Sequence, residues 1–220
     1  MILFGPPVKR LSKLDVSKIN KLVKTIKTNY ETKWVKRSLK IMEDSFVLKA
    51  LTTTQNDRIS PIDESNLLET AKPLLQAVIE NSERLIYLDI SNLPSQTSHQ
   101  LHVDYAWIHV MSRRIHIPLL TNEKAMLAVL TEDNEIVTYH LEVGSIFEIN
   151  NQTLHTAGNF GEGERWHLIA DVISEDAYQF LLKMKLLDKP FSNKWNNFHF
   201  CEELKNKFQV CLKSKPTQTI

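Results

Sequence analysis

A chain of 220 residues with 42% hydrophobic and 24% charged residues suits one domain with a sizeable core, which excludes wholesale disorder and a string of domains. Five glycines and eight prolines exclude collagen-like and Pro/Gly-rich low-complexity sequence. A formal net charge of +1 excludes a protein built over its whole surface to coat nucleic acid or an acidic membrane. No stretch approaches the roughly 20 apolar residues of a membrane span, and the proline-broken opening Met1–Pro7 is too short for a signal peptide. Two cysteines, Cys201 and Cys211, make neither a disulfide framework nor a zinc cluster. The expectation is a cytoplasmic protein in a reducing compartment.

Charge is uneven along the chain. Residues 1–40 hold eleven basic and two acidic residues, a local +9 that leaves −8 on the remaining 180. Within them Ile19, Leu22, Val23, Ile26 and Tyr30 follow helical spacing, with Asp15 or Ser17 as the cap. Lys18, Lys21, Lys24 and Lys27 then fall on other faces. They make either a phosphate-facing surface or, more commonly on amphipathic helices, the solvated outside of a helix packed on a core. A second helix is predicted near 66–80, from Leu67, Leu68, Ala71, Leu74, Leu75, Val78 and Ile79. Pro73 inside it marks a kink or a later start. Thr52–Ser65, with Ser60-Pro61, reads as a loop.

From residue 84 the pattern changes to short β-type runs: Arg84–Ile90, Leu101–Val110, Arg113–Leu120, Ala125–Leu130, Glu135–Leu141, Ser145–Ile149 and Arg165–Ile173. In the last run residues 165, 167, 169 and 171 share a face. Close strand spacing without helices between predicts an antiparallel sandwich or barrel. Residues 174–187 return to helix, and the tail with Phe191, Trp195, Phe198 and Phe200 is expected to pack in part. The predicted fold class is mainly β with flanking helices, in a single domain. Its parts are a helical N-terminal part (1–83), a β core (84–173) and a helical C-terminal part (174–220).

The residues that carry chemistry lie in the β core. His102-Val103-Asp104 puts an imidazole and a carboxylate on the same side of extended chain. With a distant second histidine these are the parts of a 2-His-1-carboxylate facial triad for non-haem iron. His155 follows the aspartate by 51 residues, between Asn151-Gln152 and Gly158-Asn159, in a setting that reads as a loop. Arg165 follows ten residues later on the last strand, a planar two-pronged donor suited to a carboxylate. His-x-Asp alone is a weak signal. An ordered set of His-x-Asp, His and Arg is much rarer.

These blocks, together with Arg114-Ile115-His116-Ile117-Pro118-Leu119, Gly144, Phe147-Glu148-Ile149-Asn150-Asn151, His155-Thr156-Ala157-Gly158-Asn159 and Arg165-Trp166-His167-Leu168-Ile169-Ala170-Asp171, resemble the aspartyl/asparaginyl β-hydroxylase and proline hydroxylase group of Fe(II)- and 2-oxoglutarate-dependent oxygenases. The resemblance covers roughly residues 84–173. It implies a double-stranded β-helix (jelly-roll) core, iron held by His102, Asp104 and His155, and the far carboxylate of 2-oxoglutarate on Arg165. It also implies that Arg114 and His116 help to hold 2-oxoglutarate, with Arg113 as a competing choice. The implied reaction hydroxylates an amino-acid side chain with O2, releasing succinate and CO2. Animal peptidyl-aspartate hydroxylases lack the carboxylate ligand. Asp104 therefore places this chain nearer the branch with a complete triad, which includes free-amino-acid proline hydroxylases.

Other residues have plainer readings. His109 and His140 read as ordinary sheet histidines, and Asp171 as the partner of a basic neighbour. His167 shares the Arg165 face and is a candidate to line the site. Tyr105 and Trp107 are candidate substrate contacts, though aromatics there are more often core. Ser91–Gln100 and the C-terminal tail are candidate substrate-contacting segments, and Trp195, His199 and Cys201 are candidates for a lid or a dimer contact, though a packed tail is the plainer reading. Two rival functions remain at this level: a jelly-roll protein that binds a metal or small acid without turnover, and a nucleic-acid partner acting through the basic N-terminal stretch.

Overall fold

Alternation along one strand decides which way the main sheet faces. In Arg165–Ser174 (β11), Trp166, Leu168, Ala170 and Val172 enter an apolar layer on one side. Arg165 and Ile169, on the opposite parity, line a cavity on the other. The computed structural model describes residues 6–29, 35–36, 46–52, 64–104, 106–187 and 202–219. In it β11 lies between Glu83–Leu93 (β4) and Arg113–Leu120 (β6), antiparallel to both. Ser145–Ile149 (β9) and Val8–Lys13 (β1) extend the sheet beyond β6, and Phe46–Thr52 (β3) and Val35–Lys36 (β2) extend it beyond β4. The result is a seven-stranded sheet in the order β1-β9-β6-β11-β4-β3-β2.

A second, five-stranded sheet runs Gln218–Thr219 (β12), Ile136–His140 (β8), Ala125–Leu130 (β7), His155–Asn159 (β10), Thr97–Ser98 (β5). The two sheets close over an apolar cluster that includes Leu93, Leu127, Val129, Tyr139, Phe147, Ile149 and Ala157. Between β4 and β11 the chain passes from large sheet to small and back, with β7 and β8 consecutive in the small one. That winding is the double-stranded β-helix, and it places β4, β6 and β11 opposite β7 and β10. Gly144, at φ +89°, makes the turn into β9, where an added Cβ would press on Val16.

Helices cover the outer faces. Val16–Asn29 (α1) buries Ile19, Leu22, Val23 and Ile26, and Glu64–Leu75 (α2) buries Ala71, Leu74 and Leu75. Both pack on Ile115, Ile117, Trp166 and Leu168 of the large sheet. Asp15 caps α1, its Oδ1 accepting from the Ser17 N–H at 2.9 Å. Lys18, Lys21, Lys24 and Lys27 are exposed, the solvated face of a helix on a core. Pro73 falls in the last turn of α2 and does not start it. Trp107–Met111 (α3) and Glu175–Lys183 (α4) pack together at one end, with Ser174 accepting from the Ala177 N–H. Glu202–Lys213 (α5) lays Phe208 and Leu212 on Met126 and Ala128 of β7. No helix among the described residues is long and apolar enough to cross a membrane.

Three expectations are corrected. Leu101–Val110 is not a strand: His102 makes a lone antiparallel bridge with His155, and Trp107–Met111 is helical. His155 does not sit in a loop but opens β10. Gly158 is there because Phe160 and Leu212 pack where a Cβ would stand, and the buried Asn159 side chain donates to the carbonyls of Leu93 and Gly163. The N-terminal part is not only helical, since β1 and β3 join the large sheet. The strand character of β1 comes from its pairing with β9, which its polar sequence Val-Lys-Arg-Leu-Ser-Lys does not announce. Tyr30, most of the 52–65 loop, Tyr105 and the tail residues Phe191, Trp195, Phe198, His199, Phe200 and Cys201 lie outside the described residues.

Candidate active site

A cavity of about 240 Å³ opens between the sheets, lined from β4 by Tyr87 and Ser91, from β6 by Arg114 and His116, from β11 by Arg165 and Ile169, and from β7 and β10 by Leu127, His155 and Ala157. His99, His102, Asp104 and His109 close it from the segment between β5 and β6. Every lining residue on β4, β6 and β11 has the parity opposite to the apolar outer layer, so strand alternation alone turns these polar groups inward.

His102, Asp104 and His155 converge. Their ligand atoms all lie within 4.8 Å of one another, and His102 Nε2 is 4.0 Å from Asp104 Oδ1. Backbone bonds bring them together. The His102 and His155 N–H groups donate to each other's carbonyls at 3.0 and 2.9 Å, and the Asp104 N–H donates to Asn151 O at 3.0 Å. Both imidazoles commit Nδ1 to a backbone carbonyl, His102 to Gln100 at 2.7 Å and His155 to Thr153 at 2.8 Å. A carbonyl only accepts, so each Nδ1 carries the proton and each Nε2 is left with a lone pair. Burial, then the neighbouring His102, push the His155 pKa down to about 4, which keeps the ring in the neutral, metal-binding form. Burial alone would raise the Asp104 pKa. The Arg114 guanidinium and the surrounding imidazoles overcome it and hold the carboxyl ionised, well below the usual range. Two imidazoles with Nε2 turned to one point and one ionised carboxylate are the donor set of the facial triad, and the residues present fit a divalent transition metal.

Arg114 stands behind this cluster. Nη1 donates to Asp104 Oδ2, while Nε and Nη2 donate to the two oxygens of Asp171 at 2.8 Å each. Asp171, fully buried, also faces His109 Nδ1 at 3.2 Å. Arg114 thus lines the cavity while giving these N–H groups to two carboxylates of the chain itself. Arg113, the competing choice, points the other way, to Glu83, Glu148 and the Val78 carbonyl. Asp171 has the basic partner expected of it. His109 is no sheet histidine: it sits on α3 and lines the cavity.

Arg165, at the far end, is only 4% exposed. Burial pushes its pKa down to about 10, so it is charged at neutral pH. It donates from Nη2 to His167 Nδ1 at 3.1 Å, and no carboxylate among the described residues pairs with it. His116 reaches the same group, Nδ1 to Nδ1 of His167 at 3.3 Å. Ser91, paired in register with His167, is buried and its Oγ has no hydrogen-bond partner among the described residues. A buried cation with an imidazole neighbour and no anion among the described residues, in a cavity that Ser91 also lines, fits an incoming carboxylate. The sequence reading placed Ser91 only in a candidate substrate-contacting segment, because the predicted strand stopped at Ile90. Continuing its alternation by one residue would have turned Ser91 inward with Tyr87.

Comparisons with known proteins agree with this architecture. The family described as aspartyl/asparaginyl beta-hydroxylase matches residues 13–175. No curated protein matches the sequence. Among solved structures the chain is similar to a prolyl hydroxylase in complex with a hypoxia inducible factor oxygen degradation domain peptide fragment from Trichoplax adhaerens. The TM-score is 0.56 at 9% identity, covering 79% of this chain and 86% of that one. It is similar to a 2OG-Fe(II) oxygenase family oxidoreductase from Burkholderia pseudomallei, with TM-score 0.53, 10% identity and coverage of 76% and 84%. It is also similar to HygX from Streptomyces hygroscopicus with nickel and 2-oxoglutarate bound, with TM-score 0.53, 7% identity and coverage of 77% and 83%. At these identities the likeness speaks for the fold.

Proposed function

We propose, for a chain that belongs to the aspartyl/asparaginyl β-hydroxylase family, that this oxidoreductase hydroxylates an amino-acid side chain using Fe(II) on His102, Asp104 and His155 and 2-oxoglutarate anchored on Arg165. The substrate class is a free amino acid such as proline, or an Asp, Asn or Pro residue in a peptide. The observation that carries the reading is Arg165, a buried guanidinium without a carboxylate partner among the described residues, in the same cavity as a 2-His-1-carboxylate cluster. An oxo-diacid can engage both ends at once.

Each side chain then has a task. The Nδ1 bonds to Gln100 and Thr153 aim the two Nε2 lone pairs at one point. Arg114 takes one oxygen of Asp104 and leaves the other for the metal, with Asp171 holding Arg114 from behind. Arg165 and Ser91 receive the far carboxylate, which fixes the length and charge of the acid accepted. Iron and 2-oxoglutarate, when bound, supply the oxidation by O2, with succinate and CO2 as co-products. The apolar walls of Leu127, Ala157 and Ile169 limit water around the reacting centre.

The test is succinate release with Fe(II), ascorbate, 2-oxoglutarate and a panel of free amino acids and short Asp-, Asn- and Pro-containing peptides. We expect substrate-dependent succinate that disappears in His155→Ala. Metal-dependent binding of 2-oxoglutarate with no turnover on any panel member would instead identify a binding protein on an oxygenase fold.

A further inference from the structure

We infer that His167 is a positioning residue: it holds the Arg165 guanidinium with a lone pair, and so leaves intact the positive charge that receives the cosubstrate. This rests on the assignment of Arg165 above. A guanidinium has only N–H donors. The 3.1 Å contact between Arg165 Nη2 and His167 Nδ1 therefore requires Nδ1 to be unprotonated. His116 Nδ1 approaches the same atom at 3.3 Å, and its proton completes that contact. His167 is then neutral with its hydrogen on Nε2. Burial, followed by the charges of Arg165 and His116, holds its pKa well below the ordinary value, in agreement.

The other nitrogen shows what selects this tautomer. His167 Nε2 is buried and has no hydrogen-bond partner among the described residues. An unpaired buried N–H is unfavourable. Nothing at Nε2 favours placing the hydrogen there, so the choice is made at Nδ1, by Arg165 and His116. The same sheet face shows the alternative device: the guanidinium of Arg114 is fixed by Asp171, and its charge is compensated in the process. A carboxylate at position 167 would fix Arg165 equally well and compete with the incoming acid. An imidazole lone pair orients without competing.

The test compares His167→Asn, whose side-chain oxygen can stand where Nδ1 stands, with the nearly isosteric His167→Asp and with His167→Leu. Each Fe(II)-loaded protein is titrated calorimetrically without oxygen, with 2-oxoglutarate and with oxalate, which can chelate the metal but does not reach Arg165. For 2-oxoglutarate we expect His167→Asn to bind within about threefold of the parent, His167→Leu about tenfold more weakly and His167→Asp about a hundredfold more weakly. Oxalate should bind all four proteins alike, which also shows that each variant keeps a folded metal site. Equal 2-oxoglutarate affinity in His167→Asp and His167→Asn would overturn the inference, as would oxalate weakening in parallel with 2-oxoglutarate. A parent protein that binds oxalate but not 2-oxoglutarate would overturn the cosubstrate reading itself, and this inference with it.

Discussion

Two buried guanidiniums on the inner face of the large sheet are compensated in opposite ways. Arg114 is enclosed by Asp171 and Asp104, both supplied by the chain. Arg165 meets an imidazole and, among the described residues, no acid. A buried charge needs a partner, and where the chain supplies none the partner comes from outside. On the proposed reading one end of the cavity is scaffold, holding a metal ligand in place, and the other receives the cosubstrate. The difference is invisible in residue type, since both are arginines at inward positions of adjacent strands.

The largest expected effect separates the two arginines by stability. Arg114→Leu leaves two carboxylates buried without their cation and should lower unfolding free energy by about 3–5 kcal/mol. Arg165→Leu removes an uncompensated charge and should leave the metal-free protein as stable as before or more so. Denaturant titration of both reads this directly, and equal destabilisation would break the contrast. In binding the order reverses: Arg165→Leu should weaken 2-oxoglutarate by at least about thirtyfold, measured by calorimetry on the metal-loaded protein.

Acid sharpens the same contrast. Burial opposes ionisation of Asp171, but Arg114 outweighs it and brings the folded pKa from 3.8 down to about 2. A depressed acid contributes stability above its unfolded pKa and loses it as the pH falls through the folded one. That contribution, about 2 kcal/mol, should therefore vanish between about pH 4 and pH 2. Without Arg114, burial alone raises Asp171, so the stability gap between the parent and Arg114→Leu should narrow across that window. His155, lowered from 6.5 to about 4, favours the neutral ring in the fold. The metal-free protein should accordingly lose stability between those values in both variants. A gap that stays constant with pH would sever Asp171 from Arg114.

The smallest effect concerns the basic helix. Lys18, Lys21 and Lys24 are exposed on α1, which packs on the sheet face opposite the cavity. Replacing all three by Gln should change unfolding free energy by less than about 0.5 kcal/mol and leave succinate release unaltered. Salt-dependent nucleic-acid binding lost in that variant would revive the polyanion reading.

Much of this was legible in local pattern. Arg113–Leu120, Ala125–Leu130 and Ser145–Ile149 are strands where alternation and turn residues place them. Ile19, Leu22, Val23 and Ile26 bury as their spacing requires. His102 and Asp104 share a side because two steps of extended chain return to the same side. His109 was missed, and Ser91 was placed in a candidate loop and not on a strand, for different reasons. His109 reaches the cavity from a helical turn that its strand-like sequence hides, and Ser91 lies just past the end of a predicted strand.

From its residues alone this chain could be read as a β core under helices, with a metal-binding donor set and an acid-binding arginine in a definite order. Alternation and spacing act over a few residues and survive in the linear pattern. Which arginine the chain's own acids enclose was decided only by folding. That assignment depends on where Asp171, Asp104 and His167 come to rest across strands, and through-space compensation of buried charge leaves no periodic trace along the chain.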